Sequence, residues 1–215
     1  LEICAAEQIS LSEYAIRQEM ELKNVSREDL FAQMKITLDA MKESATAGRE
    51  KKVYSLSGLI GGDAYRLQQY CNTGNSLMGN GIVMAMAMAI SSSEVNGAMA
   101  SGAVVELMGG TPKMSLDAAA IIFKNVLGLV CDPVAGLVEI PCAKRNVSGA
   151  INALCTADMV MAGVNSKIPF DDAVAAMYKV GTGLPEELRE TALGGCAITP
   201  TGKALQEKVF GKKEN

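Results

Sequence analysis

The chain has 215 residues, enough for one large domain whose core needs no disulfide staples. Apolar residues make up 49% but aromatics only 4%, with 13 Met and no Trp, which favours close-packed aliphatic helices over an aromatic-rich sandwich or barrel. A net charge of −4 argues against a nucleic-acid scavenger or a binder of anionic membranes, and the absence of histidine excludes Ser/His or Cys/His nucleophile pairs and His-containing zinc sites.

In chain order, Ser10-Leu11-Ser12-Glu13 is a capping box that predicts a helix to about Lys23. Ser26 with Asp29 opens a second, with Leu30, Met34, Leu38 and Met41 on one face, ending near Gly48. The small-residue stretch Ser57-Gly58-Leu59-Ile60-Gly61-Gly62-Asp63 reads as a loop. The run Ile82 to Ile90 alternates Met and Ala with nothing polar, and predicts a buried helix too short for the ~20 residues of a bilayer span. Ser115 is the expected cap of a helix through Ala118, Ile122, Val126 and Leu129, with Pro133 breaking it just after Cys131. Further helices are expected from about Ser148 to Ala162, and from Asp171 as cap to about Val180. Pro185 and Pro200 each suit a first helical position, and Lys208, Lys212 and Lys213 suit the last C-terminus. The expected class is all-α, a single multi-helix domain with buried apolar helices and glycine-rich connecting loops. No secretory signal pattern is visible, so the six cysteines read as reduced thiols of a cytoplasmic protein. Residue 1 is Leu, not Met, which predicts that part of the polypeptide lies outside this sequence.

Chemistry concentrates in a few places. Cys131-Asp132-Pro133 and Pro141-Cys142 frame a short loop, and iron–sulfur ligands often sit beside Pro or Gly on such loops. Two ordinary buried thiols are the stronger reading from spacing alone, because the separation matches no standard ligand pattern. Lys144-Arg145-Asn146 offers either a bidentate carboxylate clamp with an amide donor or a solvated basic turn, and alone the turn is favoured. Ser57 to Asp63 either wraps backbone N–H groups round an anion or tightly connects two helices. Cys4, Cys155 and Cys196 read as packing residues, while Cys71 stays open. A helical module binding an anionic metabolite through the glycine loop is a reading independent of any family.

Together these stretches resemble the α subunit, or catalytic α domain, of the iron–sulfur-dependent L-serine dehydratases. The residues that carry the resemblance are Ser57-Gly58-Leu59-Ile60-Gly61-Gly62-Asp63-Ala64, Glu94-Val95-Asn96-Gly97-Ala98-Met99, the block from Leu127 to Asn146 around both cysteines, and Leu184 to Gly195. The likeness spans essentially the whole chain, and the cysteine block is its most specific part. It implies a [4Fe–4S] cluster held by three cysteines, with one open iron acting as Lewis acid on the hydroxyl of L-serine. A base would remove the α-proton, and the product would hydrolyse to pyruvate and ammonia; no pyridoxal phosphate is expected. In that scheme Cys131 and Cys142 are two cluster ligands. Arg145 and Asn146 become the carboxylate partners, and Ser57, Gly58, Gly61 and Gly62 line the substrate site. A β subunit, fused or separate, or a second copy is the implied partner, with neither nucleic acid nor membrane.

One departure is large. The family carries a long glycine-rich stretch with the third cluster cysteine between the blocks matching Glu94 to Met99 and Val105 to Gly110. Here those blocks are joined through about Ala100 to Val104, so the single domain 1–215 has an internal gap near 99–104 relative to the family. No cysteine of this sequence carries over to the third position. Either an enzyme's cluster-bearing loop is missing from this sequence, or the chain is a deleted form, a folded scaffold without lyase activity.

Overall fold

A computed structural model describes residues 1–51 and 93–211. The described part is helical throughout, with one isolated parallel bridge between Cys131 and Arg189. The loop at 55–63, the expected helix at 82–90, Cys71, Lys212 and Lys213 lie outside the described residues.

Two short helices lead into a long one. The first, α1 (Glu2–Glu7), buries Cys4. The second, α2 (Leu11–Lys23), is capped by Ser10, whose hydroxyl accepts from Glu13 N–H at 3.1 Å. The Glu13 carboxylate turns instead to Arg17 and Arg27, accepting from both terminal guanidinium nitrogens of Arg27 at 3.0 and 2.7 Å. The third, α3 (Arg27–Lys51), starts as its sequence predicts, because Ser26 Oγ accepts from Asp29 N–H at 3.1 Å. It runs past Gly48, and of its expected apolar stripe Leu30 is buried while Met34 and Leu38 are exposed. A helical period predicts the helix and not the neighbour that covers it.

Four helices form the core: α4 (Ser93–Leu107), α5 (Pro112–Asn125), α6 (Lys144–Met161) and α7 (Phe170–Gly183). Helix α4 packs on α5 and α6, and α5 on α6 and α7. Their contacts are made by small residues. A Cβ on Gly97 would lie 3.3 Å from Ile122 Cγ2, and one on Gly102 3.3 Å from the Ser115 carbonyl oxygen. Around these close approaches sit Ala98, Ala119, Ala120, Ile122, Phe123 and Ala173, then Val105, Ala118, Ile121, Ala157 and Val160. An alanine-rich core of this kind is what low aromatic content requires.

Several boundaries differ from expectation. Thr111, not Ser115, caps α5: its hydroxyl accepts from Met114 N–H at 3.3 Å, and Pro112 takes the first helical position, where no N–H is needed. Ser115 is therefore inside the helix and buried. The helix ends at Asn125, before Val126, Leu129 and Pro133 are reached. Helix α6 begins at Lys144 rather than Ser148, entered through a wide turn, Glu139–Ala143, containing a cis Ile140–Pro141 bond. It buries one face, with Cys155 exposed on the other. Helix α7 starts at Phe170 after Pro169, so Asp171 lies in its first turn, where the dipole favours acid, rather than at the cap. Pro185 precedes only a short turn, Glu186–Leu188. The last helix, α8 (Pro200–Phe210), matches expectation, with Thr199 Oγ1 accepting from Gly202 N–H at 3.0 Å and Lys208 in its last turn. Among the described residues no helix is long and apolar enough to cross a membrane.

Candidate active site

Beyond α5 the chain turns at Gly128, which has φ +80°, and runs extended into Cys131. Cys131 is pinned by its backbone: its N–H donates to Leu188 O at 2.9 Å, and Glu190 N–H donates to its carbonyl at 2.7 Å. The segment following α7 thus grips the cysteine from one side.

The next residue is the centre of the region. Asp132 is 2% exposed, and both its oxygens are engaged. Oδ1 accepts from Arg145 Nη1 at 2.8 Å, and Oδ2 accepts from Cys196 N–H at 2.6 Å. Burial pushes the Asp132 pKa up, but the Cys196 amide and thiol together with Arg145 hold it below the usual carboxylate range. Room for this contact exists because residue 195 is glycine. A Cβ there would stand 2.2 Å from Asp132 Oδ2, and the backbone adopts φ +55°.

Arg145 closes the second side. Its Nη1 also donates to Val130 O at 2.6 Å, so one guanidinium nitrogen bridges the residues flanking Cys131. Arg145 lies in the first turn of α6, close behind Cys142 in the wide turn that enters the helix. The Cys142 thiol is half-buried. Burial raises its pKa while the Arg145 charge works against the rise. The Cys196 thiol is raised mainly by donating to Asp132. Asn146 is buried in the same first turn of α6.

Of the expected site residues, Arg145 bonds Val130 and Asp132 on either side of Cys131 and its charge reaches the Cys142 thiol, while Asn146 is buried next to it in α6. Ser57, Gly58, Gly61 and Gly62 lie outside the described residues. The guanidinium expected to meet a substrate carboxylate already holds the carboxylate of Asp132. Two residues were not foreseen, Asp132 and Cys196. Of the three cysteines expected to pack, only Cys4 is buried; Cys155 is exposed, and Cys196 is an exposed thiol tied to Asp132. The sequence signal that could find Cys196 is the Gly194-Gly195 pair before it, since successive glycines suit a close backbone approach.

A cubane cluster with one open iron needs three thiolates. Cys131 and Cys142 supply two half-buried thiols beside a cation, but among the described residues no three Cys, Asp or Glu side chains form a group that could hold a metal ion. The described residues alone therefore do not complete such a cluster.

Comparison with known proteins matches the family described as serine dehydratase alpha chain, in two segments, residues 6–99 and 96–197. The probable L-serine dehydratase alpha chain of Bacillus subtilis is 38% identical over an alignment of 281 positions that covers 98% of this chain and 93% of that protein. The L-serine dehydratase alpha chain of Peptoniphilus asaccharolyticus is 32% identical, covering 96% of this chain and 94% of its own length. The probable L-serine dehydratase alpha chain of Latilactobacillus sakei is 57% identical over 115 residues, 54% of this chain and 55% of that protein. The first alignment is longer than this chain, and the two matched segments meet at residues 96–99, inside α4.

Proposed function

Given that the chain belongs to the serine dehydratase alpha chain family, we propose that it is the catalytic helical chain of an enzyme that deaminates L-serine to pyruvate and ammonia. The observation that carries this reading is the arrangement of Cys131 and Cys142 around the Asp132–Arg145 pair, in a chain whose relatives are named L-serine dehydratases along nearly their full length. The cofactor we propose is a [4Fe–4S] cluster with Cys131 and Cys142 as two ligands and its third thiolate from outside the described residues. Asn146 and the Arg145 nitrogens not engaged by Asp132 are the proposed partners of the substrate carboxylate, with Ser57, Gly58, Gly61 and Gly62 on the opposite wall. Because the relatives are named alpha chains, a separate β subunit is the proposed partner, in the cytoplasm.

The deciding experiment is anaerobic reconstitution with iron and sulfide, followed by assay of serine-dependent pyruvate release. A brown protein that releases pyruvate supports the proposal; a colourless one, inactive with or without a β chain, overturns it. A second reading has its own support, since the family match meets itself at 96–99 and the longest alignment exceeds this chain. On that reading the chain is a deleted scaffold without lyase activity. Intact mass separates the two: a natural product of 22.6 kDa favours the scaffold, a heavier one the enzyme.

A further inference from the structure

We infer that Asp132 is a positioning residue that sets the distance between the thiols of Cys131 and Cys142. The inference rests on the reading above, in which those thiols act together. Cys131 and Cys142 come from different segments, one held between Val130 and Asp132 and one in the turn that enters α6. Asp132 joins them. It is covalently next to Cys131, and it bonds Arg145, which lies one helical turn beyond Cys142. The same Arg145 nitrogen takes Val130 O, so the guanidinium grips the cysteine segment on both sides of Cys131.

The clamp has a third member. Cys196 N–H donates to the oxygen of Asp132 that Arg145 leaves open, and Gly195 passes so close to that oxygen that no side chain fits between. With both oxygens filled and 2% exposure, the carboxylate has no freedom to swing. Burial of a charge this deep is costly unless every partner is present, so the site is organised only when all three segments are docked. Its place beside the thiols, rather than in the helical core, gives it a role in thiol geometry.

The test uses the full chain, free of iron, with a short bis(methanethiosulfonate) reagent that links two cysteines only when they are held close. The natural chain is expected to give a linked Cys131–Cys142 peptide on mass analysis. D132N keeps the size of the side chain but turns one acceptor into a donor facing a donor, and should lower that link about fivefold or more. R145K keeps a positive charge near Asp132 but loses the rigid planar guanidinium that holds one nitrogen against both Val130 O and Asp132 Oδ1, and should lower it as well. Labelling of exposed Cys155 and far-UV helicity should not change, which separates thiol geometry from general loss of fold. If D132N does not fold, R145K decides. Undiminished linkage in the folded variants, or none in the natural chain, overturns the inference. A natural chain that links but never deaminates serine leaves the inference standing and sinks the proposed function. Activity with a link indifferent to Asp132 does the reverse.

Discussion

Replacing Ser115 by alanine should stabilise the protein. Ser115 is 2% exposed on the inner face of α5, and its hydroxyl is the one buried side-chain polar atom among the described residues that lacks a hydrogen-bond partner. It lies at the wall of a cavity of about 380 Å³ whose other lining, including Leu11, Ala15, Ala98 and Phe123, is mostly apolar. An unsatisfied buried hydroxyl costs about 1–3 kcal/mol, and alanine adds about 0.5 kcal/mol of helix propensity. Losing the oxygen leaves a slightly larger void, which takes back a fraction of that gain. The expected net is about 1–2 kcal/mol, read as a higher urea midpoint at unchanged m, or a melting temperature up by about 3–6 °C. The sign carries the meaning. Were Ser115 the helix cap that its sequence position suggests, S115A would cost about 0.5–2 kcal/mol. T111A should show that loss instead, about 1 kcal/mol, because Thr111 makes the capping bond. A lower midpoint for S115A would refute the reasoning and mean that the hydroxyl has a partner.

Other outcomes follow from the same contacts. Glu13, gripped first by Arg27 and then by Arg17, should titrate near its depressed pKa of about 2 in a carboxyl-resolved NMR titration, not near 4.5. A folded pKa below the unfolded one means its contribution is complete above about pH 4.5 and lost as pH falls through about 2, so E13Q should abolish that part of the acid sensitivity while leaving neutral-pH activity intact. F123A removes a buried ring that packs on Phe170 at a centroid distance of 5.8 Å, and should cost about 3–5 kcal/mol in denaturant unfolding. G202A places a Cβ 2.4 Å from the Cys196 carbonyl and 2.8 Å from that of Ala197, both fixed backbone. It should cost about 1–3 kcal/mol and lower the Cys131–Cys142 link as well, since it displaces the turn that holds Asp132. A stable G202A with normal linkage would show that this turn yields freely.

Much of the helical plan was legible because it rests on local chemistry. Ser10, Ser26 and Thr199 each stand at the end where they cap, and Pro200 needs no N–H where it sits. The error at Ser115 is instructive: Thr111-Pro112 offers a cap four residues earlier followed by a proline, and that pair outcompetes a serine with only helix formers behind it. What local pattern cannot show is depth. Met34 and Leu38 repeat at the right interval yet face outward, and Cys196 reads as packing until Gly195 is seen folded against Asp132. In the candidate site, Cys131, Cys142 and Arg145 stand out through the family resemblance, where spacing alone favours ordinary thiols and a basic turn, and the buried carboxylate of Asp132 carries no such signal. An aspartate beside a cysteine carries no periodicity, and its two donors come from residues 145 and 196, far along the chain.

The position of Asp132 also narrows the search for the α-proton base. Within this sequence, which has no histidine, the candidates for such a base are carboxylates, lysines, tyrosines and thiols. Asp132 adjoins Cys131 in the chain and bonds Arg145, three residues beyond Cys142, so it is the natural first choice. Its geometry argues otherwise. One oxygen holds Arg145, the other holds Cys196, and burial leaves no approach for a substrate carbon between them. To accept a proton it would have to release a charged partner, at a cost of several kcal/mol, before any chemistry began. A group already bonded on both sides is built to hold position. D132N in an active preparation should therefore alter thiol geometry and turnover without removing the group that titrates in the pH–rate profile. Loss of that titration in D132N would make Asp132 the base and refute the positioning role.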